Sequence, residues 1–594
     1  MARIDPHSHF DPEQPLVRRL HWKVSADFDS HRLAGEARLF LAAPSEGPLD
    51  LDSDALDIRE ARDQRNRPVP FHLGDPDPVL GRRLRLDLPE GTTEVALRYA
   101  TSPEAAALQW LSPEQTEGRA APFLFSQCQP HHARSMVPCQ DSPRVRITYR
   151  AEITVPEGMR PVMSAGDAEE SPGPVPGTRT FAFEMPQPIP SYLLALAAGR
   201  LESRDLGPRS RIWAEPETVE AAAFEFAEIE SMIAAAEGVF GPYEWDRYDM
   251  LVLPPSFPYG GMENPRLTFL TPTLLAGDRS LVAVVVHELA HSWTGNLVTN
   301  ATMNDFWLNE GFTVWAERRI LEVVRGGEAA SLAWAIGQTG LDRSLERFGA
   351  ASPYTRLKTD LWGVDPDSIY SEVPYEKGAR LVALLERTAG RGVFDAFVRD
   401  YIERFRFTSI TSEEFLAFLE ERLPGPAAEV GVKEWVYGTG LPANAPRFAS
   451  KALTAIESKA AAWADGVRPS KADAAAWTPA ETLIYLQNLP RPLPEDDCAL
   501  LDRTFGLTSQ GNYEILVEWL SIAAVSDYAP AFPRIREVLG RVGRMKFLRP
   551  LYKALAASPR TRELARGTFE TVKTRYHSLS RRVAEVEMAA YPEG

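Results

Sequence analysis

The pattern HELAH at His287–His291 constrains the fold of this 594-residue chain more than any other feature of the sequence. Residues four apart on an α-helix lie about one turn apart on the same face, so both imidazoles can reach one metal ion. The preceding run, residues 281–286, is rich in β-branched residues and would also suit a buried strand. We interpret it as the first turns of a helix, because a helix brings the two histidines together. HExxH on a helix is typical of zinc hydrolases, in which Glu288 would hydrogen-bond a water beside the metal.

A third ligand is needed, because two histidines leave a tetrahedral zinc site one protein ligand short, and in hydrolases that ligand is often a carboxylate. Glu310 follows His291 after eighteen residues and lies in a second helical pattern over Asn304–Val324. If the two helices pack side by side, Glu310 faces the histidines and one position stays open for water. Glu317, two turns further along the same face, is predicted to hydrogen-bond a ligand imidazole. The alternative for Glu317 is a solvated or salt-bridged helix residue.

The length of the chain exceeds what one hydrophobic core supports, since single cores stop growing at roughly 250–300 residues. The composition is globular, and a net charge of -17 without a domain-wide basic patch argues against nucleic acid or anionic lipid as a partner. Three cysteines give no disulfide framework, and the polar, proline-broken N-terminus lacks the apolar core of a signal peptide. No run of about 18 apolar residues occurs, so we predict a cytoplasmic protein without a membrane span.

Periodicity divides the chain into three parts. Short alternating stretches between turn signals fill the first 200 residues, most clearly at Val145–Arg150, and predict a β domain. Helical spacing begins at Glu217–Val239, and a strand at Met250–Leu253 precedes mainly helical sequence to about residue 440. After a linker at Pro442–Pro446, helices alternate with short breaks to the end. The three domains are expected at 1–202, 203–443 and 450–594.

Seven further segments add information that spacing alone does not give. They are Ser126–Gln129 (SQCQ), Pro138–Asp141 (PCQD), Tyr259–Pro265 (YGGMENP), Trp293–Asn300 (WTGNLVTN), Trp307–Gly311 (WLNEG), Pro374–Gly378 (PYEKG) and Arg544–Phe547 (RMKF). Together with HELAH and the spacing to Glu310, they closely resemble the M1 metallopeptidases, above all the branch of leukotriene A(4) hydrolase and aminopeptidase B. Because the segments span residues 126 to 547, the resemblance covers nearly the whole chain.

The resemblance implies a catalytic role for each matching residue. His287, His291 and Glu310 would bind one zinc ion per chain. Glu288 would act first as general base and then as proton donor to the leaving amine, a task for a buried carboxylate next to water. Tyr375 would donate a hydrogen bond to the developing oxyanion, which suits a neutral and fixed phenol.

Substrate-binding roles are implied in the same way. Glu263 would bind the free α-ammonium of the substrate. The other implied positions are Gln129 (assisting Glu263), Tyr259, Gly260, Gly261 and Met262 (the peptide groove), Asp367 and Tyr370 (the inner pocket), and Arg544 and Lys546 (the carboxylate end of a short peptide). Outside the family context, the two tyrosines 370 and 375 would be core residues, and Arg544 and Lys546 would belong to a solvated basic stretch.

The family also implies a fold and a function. The expected fold is multidomain α+β, with an N-terminal β-sheet saddle, a thermolysin-like α/β peptidase domain and a C-terminal all-α domain resembling a helical repeat. The expected function is a zinc aminopeptidase, monomeric by preference, acting on short peptides with a free N-terminus. One alternative is epoxide hydrolysis, in which Asp367 and Tyr370 steer water. Another is a non-catalytic peptide-binding protein, against which the retention of Glu288 and Tyr375 speaks. An endoprotease is disfavoured, because it has no use for Glu263.

Overall fold

The computed structural model describes residues 4–448 and 450–590, and its first part is built from β-strands. Alternating burial shapes these strands: in β1 (Val17–Asp27), Leu20, Trp22 and Val24 are buried while the residues between them face outward, as in a sheet with one face on the core. The other strands of this part are β2 (Arg32–Ser53), β3 (Asp57–Asp63), β4 (Phe71–Leu73), β5 (Arg82–Ala100), β6 (Leu108–Leu111), β7 (Phe123–Ser126), β8 (Arg146–Pro156), β9 (Arg160–Met163), β10 (Glu169–Pro172), β11 (Thr178–Pro190) and β12 (Leu196–Gly199).

The strands of the first part form two sheets. The larger sheet has the order β10-β11-β8-β1-β2-β5-β3, with β4 beside β5, and the smaller has the order β6-β7-β12-β9. In the larger sheet β1 runs parallel to β8 and antiparallel to β2. Strand β7 ends at Ser126, so the loop that follows it carries Gln127 and Gln129 toward the middle of the molecule.

The middle part combines a mixed sheet with helices. The strands of this part are β13 (Glu202–Asp205), β14 (Ser210–Ala214), β15 (Tyr248–Val252), β16 (Gly261–Met262), β17 (Leu267–Leu270), β18 (Val298–Asn300) and β19 (Thr408–Ile410). The main sheet has the order β13-β14-β15-β17-β16, in which β14, β15 and β17 are parallel and the edge strands β13 and β16 are antiparallel to their neighbours. Strands β18 and β19 form a separate parallel pair. Every residue of β15 is buried, as expected for a central strand covered on both faces.

Helices α1 to α10 complete the middle part. Their bounds are α1 (Val219–Glu225), α2 (Ile229–Phe240), α3 (Val282–Ala290), α4 (Trp307–Arg325), α5 (Gly327–Phe348), α6 (Gly378–Ala389), α7 (Arg391–Phe405), α8 (Ser412–Arg422), α9 (Pro424–Val430) and α10 (Val432–Tyr437). The β-branched run before His287 is helical from Val282 onward, which confirms the prediction for residues 281–286 apart from its first residue. Tertiary packing therefore overrides the weak local preference of valine for strands.

A pair of glycines lets α4 and α6 approach closely. A Cβ atom added to Gly311 would lie 2.7 Å from the Cα of Gly378, and one added to Gly378 would lie 2.8 Å from the Cα of Gly311. No side chain fits between backbones at that distance. The contact fixes Glu310, which precedes Gly311 on α4, relative to the PYEKG turn that leads into α6.

The last part is helical and has its own hydrophobic core. Its buried residues form a cluster with Leu332 of α5, whereas the first and middle parts share one continuous cluster. The helices are α11 (Lys451–Ala461), α12 (Lys471–Ala476), α13 (Pro479–Gln487), α14 (Glu495–Phe505), α15 (Tyr513–Val525), α16 (Phe532–Arg541), α17 (Met545–Ala557), α18 (Pro559–Val572) and α19 (Ser578–Ala589). The expected succession of a β domain, a mixed catalytic domain and an α domain is confirmed. The boundaries predicted between these domains stay predictions. Among the described helices, none combines the length and the apolar character needed to cross a bilayer.

We expect Gly311→Ala to lower the free energy of unfolding of the catalytic part by about 1–3 kcal/mol, the usual range for overpacking. The added methyl group has no room against the backbone of Gly378. Urea unfolding followed by tryptophan fluorescence measures the change. The control is Gly238→Ala in α2, where an added Cβ meets no atom within 4 Å and alanine favours the helix. Equal effects of the two substitutions would contradict the close helix contact.

Candidate metal centre and substrate site

Two helices bring the three predicted metal ligands together. His287 lies in the last turn of α3, and His291 caps its C-terminus, which places their Nε2 atoms 3.2 Å apart. Glu310 lies in the first turn of α4, and its Oε2 atom is 3.3 Å from Nε2 of His287 and 3.4 Å from Nε2 of His291. The side-by-side packing expected for the two helices is therefore observed.

The spacing of these three atoms fits a tetrahedral zinc ion. Bonds of about 2.0–2.1 Å in a tetrahedron separate the ligand atoms from one another by roughly 3.3–3.4 Å, close to the distances between the two imidazoles and Glu310. Oε2 of Glu310 is also buried and makes no hydrogen bond of acceptable geometry within the described chain. A buried carboxylate oxygen facing two imidazole nitrogens is a donor set that suits zinc.

Outer contacts orient both imidazoles. Nδ1 of His287 lies 3.3 Å from Oε2 of Glu317, and Nδ1 of His291 lies 3.0 Å from the carbonyl oxygen of Thr294 and 3.1 Å from Oγ1 of Thr313. Hydrogen bonds at Nδ1 leave Nε2 to face the metal position, as in many zinc sites. Glu317 also forms an ion pair with Arg318. It therefore both contacts a ligand imidazole and takes part in a salt bridge, the two alternatives considered for this residue.

Negative charge is concentrated around the metal position. Ligand atoms of Glu263, Glu288 and His291 lie within 4.8 Å of one another, and all three side chains are buried. Burial raises the pKa of Glu288 to about 7 and raises the pKa of Glu263 above its usual value. Burial acts in the same direction on Glu310, but the two imidazoles lower its pKa to about 2. A cation in this position would stabilise all three carboxylates in their charged form.

The glycines of YGGMENP bring the backbone of edge strand β16 against the charged residues. A Cβ atom on Gly261 would lie 2.3 Å from Oε1 of Glu288, and one on Gly260 would lie 2.6 Å from Nη2 of Arg544. A side chain at Gly261 would displace the carboxylate of Glu288, and one at Gly260 would displace the guanidinium of Arg544. Met262 points into the core, where its sulfur atom accepts a hydrogen bond of 3.3 Å from Nε2 of Gln127.

Glu263 is held at both its side chain and its backbone. Nε2 of Gln129 donates to Oε1 of Glu263 at 3.3 Å, so Gln129 lies beside the residue that it is expected to assist. The side-chain amide of Asn296 donates to the carbonyl oxygen of Glu263 at 2.8 Å. No role was predicted for Asn296, although it lies within WTGNLVTN. No lysine or arginine of the described chain forms an ion pair with Glu263.

Tyr375 lies on a π-helical turn, Val373–Lys377, directly before α6. Its ring is 6.2 Å from that of His287 and 5.9 Å from that of Tyr370, and burial raises the pKa of its phenol, which keeps the hydroxyl protonated. The buried Lys377 anchors the turn by donating to the carbonyl oxygens of Thr355 at 2.9 Å and of Gly438 at 2.8 Å. A π-turn at this point is consistent with a functional position.

The remaining predicted residues lie around the same space. Arg544 is 5% exposed, while Tyr370 is 41% exposed and Tyr259 is partly buried. Two carboxylate pairings here were not predicted. Glu514 lies 2.8 Å from Nζ of Lys546 and 3.6 Å from Nη1 of Arg544. Nε2 of His132 lies 2.9 Å from Oδ2 of Asp367. Neither Glu514 nor His132 is separated from its partner by a spacing that a sequence pattern would have revealed.

The fold and the arrangement around His287, His291 and Glu310 define the class of protein as a metallopeptidase. The chain belongs to peptidase family M1. The "Peptidase family M1 domain" profile matches residues 224–436, the "Peptidase M1 N-terminal domain" profile matches 9–193, and the "Leukotriene A4 hydrolase, C-terminal" profile matches 477–588. The predicted family and branch are thereby confirmed.

Individual relatives match over nearly their whole length. "Leukotriene A-4 hydrolase" of Xenopus laevis is 38% identical over 587 residues, covering 95% of this chain and 96% of the relative. "Leucine aminopeptidase 2" of Yarrowia lipolytica is 37% identical over 610 residues, covering 98% and 92%. A solved structure of yeast LTA4 hydrolase in complex with bestatin superimposes with a TM-score of 0.91 at 31% identity, covering 99% of this chain and 97% of that one. An M1 zinc metallopeptidase of Deinococcus radiodurans, with a TM-score of 0.58 and 22% identity, covers 75% of this chain and 99% of its own, and shares the fold.

We expect Glu317→Gln to weaken zinc binding by about 10- to 100-fold, the usual effect of losing a carboxylate behind a ligand imidazole. The amide can still hydrogen-bond Nδ1 of His287, but it does not increase the basicity of the ring as a carboxylate does. Competition with a zinc-binding dye measures the dissociation constant. Glu322→Gln is the matched control, because Glu322 lies on the same helix and pairs with Arg391 at its surface. Unchanged zinc affinity in Glu317→Gln would contradict the orienting role.

Proposed function

We propose that this chain is a zinc-dependent aminopeptidase that binds one zinc ion through His287, His291 and Glu310 and releases N-terminal residues from short peptides. The buried carboxylate of Glu263 carries the proposal. Its ligand atom lies within 4.8 Å of those of Glu288 and His291, and within the described part of the chain no lysine or arginine pairs with it. A buried unpaired carboxylate is unfavourable until a cation joins it. The α-ammonium of a peptide substrate is such a cation.

Relatives of similar length support the proposed reaction. The proteins named leucine aminopeptidase 2 in Yarrowia lipolytica and Pyricularia oryzae match 98% and 99% of this chain at 37% and 36% identity. Because Glu263 recognises a free amine, cleavage would be limited to the first residues of a peptide. A blocked N-terminus would leave this carboxylate desolvated without compensation.

Glu288 is proposed to move the protons of the reaction. When bound, zinc supplies Lewis-acid polarisation of the scissile carbonyl and lowers the pKa of a nearby water to about 7. Glu288 takes a proton from the attacking water and then donates it to the nitrogen of the leaving amine. Burial raises the pKa of Glu288 and a nearby cation lowers it, so the carboxylate can both accept and release a proton, as a general acid–base catalyst must.

Tyr375 and the glycine strand are proposed to hold the scissile peptide. The phenol of Tyr375, fixed by its π-turn and kept protonated, donates to the carbonyl oxygen as negative charge develops there. The partly buried backbone edge at Gly260 and Gly261 pairs with the extended peptide in the manner of an added strand. Gln129 donates to Glu263 and keeps its carboxylate oriented toward the substrate ammonium.

Arg544 and Lys546 are proposed to bind the carboxylate end of the peptide. Both approach Glu514, at 3.6 and 2.8 Å, so the three side chains together carry one net positive charge. That charge matches one substrate carboxylate. With an anchor for each end of the substrate, the site would favour peptides of a few residues.

Epoxide hydrolysis is the second candidate function. It is favoured by the 38% identity with the protein named leukotriene A-4 hydrolase and by the exposure of Tyr370 in the same space as Asp367. Asp367, however, is paired with His132, and a neutral epoxide offers no cation to the buried carboxylate of Glu263. We therefore place peptide hydrolysis first.

We expect Glu288→Gln to lower kcat for Leu-p-nitroanilide by about 100- to 10,000-fold, because proton transfer contributes that much in general acid–base catalysis. The zinc content should stay unchanged, since Glu288 is not one of the three ligands. Steady-state kinetics and atomic absorption measure the two quantities. Glu322→Gln serves as the surface control, with kcat expected near that of the unsubstituted chain. Retained turnover in Glu288→Gln would refute the proposed general base, and activity in metal-stripped protein would refute the zinc mechanism.

We expect Glu263→Gln to lower kcat/KM for free-amine substrates by about 10- to 100-fold, because a charge-assisted hydrogen bond is lost while the shape of the side chain is kept. Hydrolysis of Leu-p-nitroanilide compared with its N-acetylated form measures the preference for a free amine. In the unsubstituted chain the acetylated compound should be the far poorer substrate, and the difference should narrow in the variant. Equal discrimination in the two proteins would contradict recognition of the amine by Glu263.

A further inference from the structure

A buried arginine joins the metal centre to the turn that carries Tyr375. Arg318 follows Glu317 on α4, and its Nη1 atom forms an ion pair with Oε1 of Glu317, whose other oxygen lies 3.3 Å from Nδ1 of His287. Nη2 of Arg318 lies 3.0 Å from Oε1 of Glu376, the residue directly after Tyr375. One guanidinium therefore contacts both the partner of a proposed zinc ligand and the neighbour of the proposed oxyanion donor.

The carboxylate of Glu376 is held on both sides. A second arginine, Arg380, donates from Nη1 to Oε2 of Glu376 at 2.6 Å and to its carbonyl oxygen at 3.0 Å. A Cβ atom added to Gly337 of α5 would lie 2.0 Å from Oε1 of Glu376, so the helix leaves room for the carboxylate there. Because Glu376 lies in the π-helical turn Val373–Lys377, fixing its carboxylate restrains the turn that carries Tyr375.

Trp334 of α5 covers both guanidinium groups. Cζ of Arg318 and Cζ of Arg380 each lie 5.5 Å from the centre of its ring, within the range of cation–π attraction. Nη2 of Arg318 also donates to the carbonyl oxygen of Ala333 at 3.2 Å. Water competes little with these contacts, because all four charged side chains are at most 8% exposed, namely Glu317, Arg318, Glu376 and Arg380.

We propose that Arg318 is a positioning residue that sets the zinc ligand His287 and the oxyanion donor Tyr375 relative to each other. This inference rests on the aminopeptidase function proposed above. The planar guanidinium reaches two carboxylates from one side chain, so it orients Glu317 toward the imidazole and restrains the turn through Glu376 at the same time. A shift of about 1 Å between the two catalytic groups can cost on the order of 100-fold in rate.

Arg318→Lys keeps the positive charge but replaces the planar fork by one ammonium group, which cannot hold both carboxylates in the same geometry. The dissociation constant for zinc, measured by dye competition, should rise by about tenfold or more, because Glu317 is no longer held against His287. At saturating zinc, kcat for Leu-p-nitroanilide should fall by about tenfold or more while KM changes by less than about threefold. This pattern is expected because the hydrogen bond from Tyr375 strengthens as negative charge develops on the substrate.

Arg319→Lys is the matched control, because the two arginines are neighbours on α4 and are both 8% exposed. Nη1 of Arg319 also bridges two carboxylates, at 2.8 Å from Glu386 and 2.9 Å from Asp395, and its Cζ lies 5.4 Å from the ring centre of Trp315. A merely structural role would make the two substitutions equivalent. We expect Arg319→Lys to keep the zinc affinity and the kcat of the unsubstituted chain. Equal losses in the two variants, or no loss in Arg318→Lys, would overturn the proposal.

Two further variants separate the two contacts of the guanidinium. In Glu317→Gln/Arg318→Lys, the zinc dissociation constant should lie within about threefold of that of Glu317→Gln alone, because both changes remove the same contact. Glu376→Gln leaves Arg318 paired with Glu317, so kcat should fall by about tenfold while zinc affinity stays unchanged. Multiplied effects on zinc in the double variant, or an unchanged kcat in Glu376→Gln, would contradict action through these carboxylates. The Glu376→Gln measurement does not require an Arg318 variant to fold.

The positioning role and the proposed function fail in different ways. If the unsubstituted zinc-loaded chain does not hydrolyse Leu-p-nitroanilide, the aminopeptidase proposal falls, and the role of Arg318 in placing Tyr375 falls with it. If the chain hydrolyses this anilide and Arg318→Lys behaves as Arg319→Lys does, only the positioning role falls.

Discussion

The concentration of carboxylates around two imidazoles is the constraint on which the rest of this structure depends. Glu263, Glu288 and Glu310 are all buried near His291, and like charges at such distances cannot all persist in a low-dielectric interior. Each carboxylate can relieve this repulsion in a different way. Glu310 faces the metal position, Glu288 can hold a proton, and Glu263 has only an amide partner until a substrate ammonium arrives. Under the proposed function, metal binding, proton transfer and substrate binding each offset the charge of one of these three carboxylates.

Such a cluster needs rigid support, and the fold supplies it through close backbone contacts. The contact of Gly311 with Gly378 sets α4 against α6 and thereby sets Glu310 relative to the turn that carries Tyr375. On the opposite side, Gly261 allows the β16 backbone to lie against Glu288. Small residues at these positions let main chains, which are stiffer than side chains, define the distances. A site in which about 1 Å decides catalytic competence benefits from this arrangement.

The sequence allowed prediction of those parts of the site that repeat at helical spacing or form contiguous motifs. HELAH required a helix, Glu310 required a second helix beside it, and the helix from Val282 follows despite its β-branched residues. The succession of three domains followed from periodicity and family resemblance. The pairings of His132 with Asp367 and of Glu514 with Arg544 and Lys546 could not be predicted.

These pairings could not be predicted for a physical reason. The partners in each pairing come from segments far apart in the chain, and 235 positions separate His132 from Asp367. A side-chain ion pair imposes no periodicity on the sequence around it. Only the packing of the N-terminal β domain against the catalytic domain creates the first pair, and only the approach of α15 to the start of α17 creates the second. Patterns in the local sequence carry no information about these contacts between distant segments.

These unpredicted pairings alter the electrostatic balance that the proposed substrate would meet. From the sequence, Arg544 and Lys546 suggested two positive charges at one end of the site, and Asp367 suggested a negative charge in the inner pocket. In the structure Glu514 offsets one of the two cations, and His132 offsets Asp367. Within the described chain Glu263 keeps no lysine or arginine partner, and one net positive charge remains near Arg544, on the other side of the metal position and the glycine strand. That distribution is complementary to a zwitterionic peptide, with its ammonium at one end and its carboxylate at the other. It also explains why one site would draw on all three domains, because the β domain supplies Gln129, the catalytic domain supplies Glu263 and the metal ligands, and the α domain supplies Arg544.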